Sequence, residues 1–317
     1  MEKKVDELLR KTFIKLRSDY GFKRVFGSPE HADILKNFLN ALFEGKMVVT
    51  DVTFQDKEVL PPDKDGKRIV YDAYCTTSTN YHFVVEMQQE PSDLFGKRMV
   101  FYISSCIFRQ GEIGGSYKFN PVYLIVITDF NMRPFEHRLV NEVVLMERNT
   151  HIPFTEDFKI FFLSLNQVSD KWNECDTELK RQLFLIKNME NLNKESAPYL
   201  EGGYTEMFRA SEIASMNEED IVAYRNSIMM EMERQSALAF AKEEGWEEGL
   251  QNGMKEGMKQ GMEKGMKQGM EKGMEKGMEK GMEKGKEEVA RAMKRNGISL
   301  GDIMLYTGLS EEQISTL

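Results

Sequence analysis

The apolar run from Val122 to Ile127 restricts the possible folds of this chain most strongly, because apolar and polar side chains do not alternate along it. Such a run is typical of a β-strand buried on both faces, and a strand of this kind needs covering layers on both sides of its sheet. It is also the longest unbroken apolar run in the chain, and it is much shorter than the roughly 20 residues that a membrane span requires. The run therefore predicts an α/β core and no membrane-spanning segment.

The segments before this run switch from helical to strand periodicity. A short helix is predicted over 19–26, and a longer helix is capped by Ser28 and ends at Gly45. A three-strand meander follows, and a crossover helix over 93–111 leads into the buried strand. The predicted strands are 47–55, 67–77 and 81–89, with short turns at 64–67 and 79–80, then the buried run and two more strands within 136–166. This order predicts a mixed α/β fold.

The segment from Gly245 to Gly285 has a glycine at every fourth position, mostly in copies of Gly-Met-Glu-Lys. Each glycine disfavours a helix by about 1 kcal/mol relative to alanine, and a four-residue step makes any side-chain stripe drift around a helix. The Glu and Lys residues of the repeat balance, which argues against a polybasic DNA-binding arm. We expect a spacer or a self-association segment that forms homo-oligomers; a passive expanded repeat is the open alternative.

The last 32 residues return to ordinary composition and contain signals for three short helices. A helix-turn-helix DNA reader is disfavoured, because the last helix presents Glu311 and Glu312 where a groove reader needs basic or amide side chains. A small helical cap is the favoured interpretation. The predicted division is a core over 1–170, a helical region over 171–244, the repeat spacer over 245–285 and the cap over 286–317.

Charge and cysteine content narrow the function classes further. The net charge of −9 argues against a protein that coats nucleic acid through its whole surface, although residues 1–24 carry eight basic and four acidic side chains. Three cysteines cannot all pair, and neither they nor the four histidines show metal-ligand spacing. The N-terminus is too highly charged for a signal peptide. We therefore expect a cytoplasmic protein.

Two acidic residues lie within strongly apolar strand sequence, where carboxylates are rare. Alternation places Asp72 on one face of its strand and Tyr71 and Ala73 on the other, and it places Glu86 and Gln88 together. If these strands pair as a hairpin, Asp72 and Glu86 become cross-strand neighbours to within about one residue. Adjacent like charges need a cation or a raised pKa. The alternative is a structural role, in which each carboxylate is solvated on an open face or pairs with Lys or Arg.

These residues carry a family resemblance. Asp72, then Glu86-Met87-Gln88 on the next strand and a helix with Arg98 and Tyr102, resemble the PD-(D/E)XK nucleases, in particular the Rpn recombination-promoting nucleases and related bacterial transposases. The segments DYGFKRVFG, FLNALFEG, VVEMQ, KRMVFY and NPVYLIVITDF are also similar to that branch. The resemblance extends over about residues 13–165, and the repeat tail with a TGLSEEQI ending is similar to tails of its members.

The resemblance implies a restriction-endonuclease-like core that cleaves DNA with Mg²⁺, or with Mn²⁺ in its place. Asp72 and Glu86 would be the metal ligands, and Gln88 would occupy the usual lysine position as a catalytic residue. Lys97 or Arg98 could replace the missing cation. The possible DNA or phosphate contacts are Lys23, Arg24, Lys97, Arg98 and Tyr102.

A neutral amide orients water but supplies no charge, so Gln88 leaves two functions open. The first is an active, metal-dependent DNA endonuclease in recombination or mobile-element transactions. The second is a weak or inactive nuclease-like protein that binds DNA as a scaffold and self-associates through its C-terminal tail.

Overall fold

The computed structural model describes residues 2–59, 68–111, 117–132, 135, 138–195 and 203–317. The chain divides into two compact units, Met1–Gln235 and Ser236–Leu317. The predicted turn at 64–67 lies outside the described residues. None of the described helices has the length and apolar character needed to cross a bilayer.

A six-stranded mixed sheet forms the centre of the first unit, in the order β1-β4-β5-β6-β8-β7. Strands β5, β6 and β8 run parallel, and the remaining neighbours are antiparallel. The predicted hairpin of β4 and β5 and the crossover from β5 to β6 are both confirmed. The strands are β1 (Thr53–Phe54), β4 (Ala73–Thr76), β5 (His82–Gln88), β6 (Val122–Thr128), β7 (Val140–Val144) and β8 (Phe158–Ser164), and a separate pair contains β2 (Glu58–Val59) and β3 (Ile69–Val70).

Helices cover both faces of this sheet, as the apolar run predicts. All seven residues of β6 are buried. One face packs against α2, α3, α5, α6 and the start of α7, and the other face packs against α4. The helices are α1 (Glu2–Leu9), α2 (Asp19–Phe26), α3 (Ala32–Leu42), α4 (Phe95–Phe108), α5 (Glu178–Asn188), α6 (Thr205–Ser211) and α7 (Glu218–Arg295). The core is therefore a three-layer arrangement.

The first predicted strand is much shorter than the sequence indicates. Of the range 47–55, only Thr53 and Phe54 are in a strand. The cause is Asn40 of α3, whose side-chain amide donates to the carbonyl of Val49 and accepts from its N–H, both at 2.8 Å. A side chain thus satisfies the backbone groups that a neighbouring strand would otherwise bind.

The second predicted strand, over 67–77, is interrupted at Tyr71 and Asp72. Tyr71 extends the β2–β3 pair by donating its N–H to the carbonyl of Lys57 at 2.9 Å, whereas the N–H of Asp72 donates to a side chain of β5. Alternation does not continue across this break. The predicted shared face of Tyr71 and Ala73 is therefore wrong, because Tyr71 packs on the α4 side and Ala73 on the opposite side.

In the second unit the glycine repeat is helical, since α7 continues to Arg295. Its eight methionines from Met254 to Met282 are 61–78% exposed. Two short helices follow, α8 (Leu300–Thr307) and α9 (Glu311–Ser315), and Ser310 with Gln313 forms the predicted capping box. A small apolar cluster holds this end together; its buried members are Ala290, Ile303, Leu309 and Ile314.

Gly27, which ends α2, lets two backbone segments approach closely. A Cβ atom at this position would lie 2.4 Å from the carbonyl oxygen of Asp72 and 2.8 Å from that of Lys23. Both neighbours are backbone atoms and cannot move aside without shifting α2 or the start of β4. Gly27 thereby fixes the spacing between α2 and Asp72.

We predict that Gly27→Ala lowers the free energy of unfolding by about 1–3 kcal/mol, because the added methyl group overpacks this contact. The matched control is Gly96→Ala in the first turn of α4, where an added Cβ meets no atom within 4 Å. Urea unfolding measures both changes. Equal midpoints for the two variants would contradict the assignment of Gly27 as a close-approach position.

Candidate active site

A cavity of about 490 Å³ opens at the carboxyl end of β5. In open α/β sheets, ligands commonly bind outside the carboxyl ends of the strands. The wall combines the end of β5 with residues of α2, α4 and α7. Its charged lining residues are Asp19, Asp72, Glu86, Glu90 and Glu231 on the acidic side and Arg17, Lys23, Arg98 and Arg234 on the basic side.

One hydrogen bond joins Asp72 to Glu86, and a second joins the side chain of Asp72 to the next residue of β5, Met87. The N–H of Asp72 donates to Oε1 of Glu86 at 3.1 Å, and the N–H of Met87 donates to Oδ2 of Asp72 at 2.9 Å. The β4–β5 register ends at the pair of Ala73 and Val85, and Asp72 and Glu86 are the residues directly next to this pair. Only 7% of Asp72 and 2% of Glu86 is exposed. The two carboxylates therefore reach the same cavity from neighbouring segments.

Burial disfavours the charged form of both carboxylates. It raises the pKa of Asp72 to about 6, although the attraction of Lys23 and the hydrogen bond from Met87 act in the opposite direction. Burial, followed by the negative charge of Asp72, raises the pKa of Glu86 well above its ordinary value. Two such groups are poorly stabilised as a pair of anions, so the pair has a strong affinity for protons or for a cation.

Lys23 is the basic residue that contacts this pair. Its Nζ lies 3.5 Å from Oδ1 of Asp72 and 2.6 Å from Oδ1 of Asp19. Within the described part of the chain, the contact with Asp72 is the single ion pair made by either carboxylate. Lys57 is a second nearby cation, since repulsion by Lys23 contributes, after burial, to lowering its pKa and attraction by Asp72 raises it.

Gln88 lies beside the carboxylates and is held from α4. Arg98 donates from Nη2 to the side-chain oxygen of Gln88, and Nε2 of Gln88 lies 3.4 Å from Oε2 of Glu86. Nε of Arg98 is buried without a hydrogen-bond partner among the described residues. This contact orients the amide of Gln88, so that its donor side faces Glu86.

The structure brings together some of the other predicted DNA contacts and separates the rest. Tyr102 lines the cavity, together with Lys23 and Arg98. Arg24 lies in a neighbouring cavity and forms an ion pair with Asp220 at 2.7 Å. Lys97 is exposed at the start of α4 and does not line the cavity.

Part of the wall comes from residues that sequence reasoning missed. Ser227, Met230, Glu231 and Arg234 of α7 line the cavity, and Arg17 lines it from the segment before α2. Arg234 reaches Glu90 at 3.3 Å, next to the end of β5. The only signal available in the sequence is their spacing of three or four residues, which places them on one helical face. That spacing does not reveal which strand the face packs against.

The donor set suits a hard divalent cation. Mg²⁺ takes oxygen ligands, is often held by one or two carboxylates, and keeps several of its waters. Asp72 and Glu86 supply the carboxylates, and among the described residues Lys23 is the one cation that forms an ion pair with either of them. Within the described residues, no three acidic, His or Cys side chains gather into a closed metal cage. An ion here would therefore rely on two protein carboxylates together with water and substrate oxygens.

The sequence profile of one protein family, described as PD-(D/E)XK nuclease family transposase, matches residues 16–241. The match spans well over half of the chain, so the chain belongs to this family, and the resemblance inferred from its motifs is confirmed. The matched range includes both carboxylates and the part of α7 that lines the cavity. No curated protein and no solved structure matches the chain.

We predict that the stability of the metal-free protein falls as the pH rises from about 4 through about 6. The pKa values of Asp72 and Glu86 are raised in the folded state, so the folded protein binds more protons than the unfolded chain in this window. Glu86→Gln removes a buried group whose pKa is raised, and it keeps an acceptor for the N–H of Asp72. In the presence of a chelator it should raise the free energy of unfolding at pH 7 by about 1–3 kcal/mol.

The matched control is Glu44→Gln, which changes an exposed carboxylate. It should alter the free energy of unfolding by less than about 0.5 kcal/mol. Urea unfolding at several pH values measures both variants. A pH dependence of Glu86→Gln that equals the wild-type curve would show that Glu86 does not carry this effect.

Proposed function

We propose that this protein is a metal-dependent DNA endonuclease that hydrolyses phosphodiester bonds. The observation that supports this most directly is the convergence of two buried carboxylates on one open cavity. Its membership of a nuclease family supports the same reaction class. The family's description also supports a role in recombination or mobile-element transactions, with DNA as the substrate.

We propose Mg²⁺ as the cofactor, with Mn²⁺ able to replace it, and Asp72 and Glu86 as the residues that hold it. A bound divalent ion would activate a water molecule and offset the charge that grows on the phosphate. The backbone N–H groups of Asp72 and Met87 donate hydrogen bonds that hold the two carboxylates in place before any ion binds. Little rearrangement is then needed when the substrate arrives.

Four neighbouring side chains are proposed to act on the phosphate and on the attacking water. Lys23 provides a fixed positive charge beside Asp72, which Gln88 cannot provide. Gln88 donates from its amide nitrogen, because its oxygen is already bonded to Arg98. Arg98 and Tyr102 line the same side of the cavity, from α4. Together these groups could position a phosphodiester against the carboxylate pair.

Arg24 and Lys97 remain proposed DNA contacts outside the cavity. In this assignment Lys23→Met lowers the rate of the chemical step, while Lys97→Met weakens duplex binding in a salt-dependent manner and leaves the rate at saturation unchanged. Single-turnover cleavage and anisotropy titrations separate these effects. Equal effects of the two variants on the rate at saturation would contradict the assignment.

We propose that the four parts predicted from the sequence are the domains of the chain.

We also propose that the repeat is a spacer that mediates self-association. The exposed methionines of α7 support this role, since a stripe of large apolar side chains in water favours contact with a second apolar surface. Light scattering on the full chain should show a dimer or larger species, and replacement of Met266, Met270 and Met274 by Glu should dissociate it. A monomeric wild-type chain would reject this role. We further propose that the protein is cytoplasmic.

The central test is nicking of supercoiled plasmid. We predict that the wild-type protein nicks the plasmid with Mg²⁺ or Mn²⁺ and not with a chelator. Asp72→Ala and Glu86→Ala should each lower the rate at least about 100-fold, because each removes one of two proposed ligands. Mn²⁺ binding measured by electron paramagnetic resonance should weaken in the same variants, which separates loss of the ion from loss of substrate binding.

The matched control for the nicking assay is Asp93→Ala, which removes an exposed carboxylate outside the cavity. It should keep the wild-type rate. Nicking that persists in both carboxylate variants would reject the endonuclease assignment. A wild-type protein that binds duplex DNA but nicks it with neither metal would instead favour the scaffold function.

A further inference from the structure

A second polar cavity, of about 870 Å³, lies at the opposite end of β5 from the carboxylates. His82, the first residue of β5, lines it, together with the end of α4 and the loop that precedes β6. β5 has seven residues, so the two ends of the strand are about 20 Å apart. This cavity is therefore distinct from the candidate active site.

The described residues give this cavity a positive charge, in contrast to the chain as a whole. Among them, Arg109 and Lys118 line the cavity, and Asp157 is the one acidic residue that does so. Nη1 of Arg109 donates to the carbonyl of Asp56 at 3.0 Å, and its guanidinium carbon lies 5.6 Å from the ring centre of Tyr74. Within the described residues neither Arg109 nor Lys118 forms an ion pair. Both charges are thus available to an anionic ligand.

Two exposed aromatic rings accompany these charges. Tyr117 is fully exposed, and Phe119 is 38% exposed. Gln110 anchors the loop that carries them, since its side chain accepts from the N–H of Asn120 at 2.8 Å and donates to the carbonyl of the same residue at 3.3 Å. The rings are therefore presented next to an anchored backbone segment and beside Arg109 and Lys118.

We propose that this cavity binds an unpaired segment of DNA, whose bases stack on Tyr117 and Phe119 and whose phosphates contact Arg109 and Lys118. Exposed aromatic rings next to basic side chains are the combination by which proteins bind single strands without reading their sequence. An acidic peptide would meet the charge but would not use the flat rings. Duplex DNA fits less well, because its bases are already stacked on each other.

The test measures binding of a fluorescein-labelled 20-nucleotide oligo-dT to the full-length protein, by anisotropy and in EDTA. The double variant Tyr117→Ala/Phe119→Ala should weaken binding at least about tenfold, because stacking contributes about 1–3 kcal/mol per base. Arg109→Gln should weaken it and reduce its salt dependence. The matched control, Phe154→Ala, removes an aromatic side chain that is 81% exposed but does not line this cavity. It should bind within twofold of the wild type.

Two further measurements make the result specific. The single variant Tyr117→Trp keeps a stacking surface at this position and keeps Phe119, so it should bind oligo-dT like the wild type. That result would exclude loss of the fold as the reason why the double variant binds weakly. Binding of a 20-base-pair duplex should change less than twofold in the double variant. Oligo-dT binding that is absent from the wild type or unchanged in the double variant, or an equal loss for oligo-dT and duplex, would overturn the proposal.

This result is separate from that of the nicking assay. Asp93→Ala, the control of the nicking assay, should keep wild-type oligo-dT binding as well, because Asp93 lines neither cavity. If the wild-type protein does not nick plasmid while the double variant loses oligo-dT binding, the endonuclease assignment is rejected and this site is supported. Wild-type nicking with unchanged oligo-dT binding in the double variant would do the reverse.

Discussion

The central sheet is covered on both faces, and this constraint determines where chemistry can take place. Strand β6 is buried along its whole length, and its neighbour β5 packs under α4 on one face and under several helices on the other. Polar side chains on such strands can meet solvent only near the strand ends. Glu86 and Gln88 occupy the carboxyl end of β5, and His82 occupies its beginning. The candidate active site and the cavity at His82 both follow from this arrangement.

The carboxylate pair is electrostatically unfavourable, and the surrounding fold holds it in place. Asp72 leaves the strand ladder, and its N–H is bonded to Glu86 instead of to a backbone carbonyl. Burial raises the pKa of both groups, and Lys23 compensates only part of the charge. A site held in this state gains affinity for a cation at the expense of stability, which is a common relation in catalytic centres. The break in the strand at Asp72 is therefore part of the site.

Local patterns in the sequence predicted much of the fold and the meeting of Asp72, Glu86 and Gln88 in one cavity. The caps, the hairpin, the crossover and the buried strand all depend on residues close together in the chain, and the hairpin register brings Asp72 to Glu86. The features that were not predicted depend on contacts between residues far apart in the chain. Asn40 replaces a strand partner at Val49, and Gly27 sets the position of Asp72. Helix α7 supplies Glu231 to the cavity wall, although Glu231 lies 145 residues after Glu86 in the chain. No periodicity encodes such partners.

The two edges of the sheet have a consequence for colloidal behaviour. Strand β1 has only two residues, and β7 carries Glu142, which pairs with Lys159 at 3.1 Å and lies 3.5 Å from Lys46. Very short or charged edges offer a poor template for a strand from another molecule. Both edges of the sheet therefore disfavour the addition of a strand from another molecule.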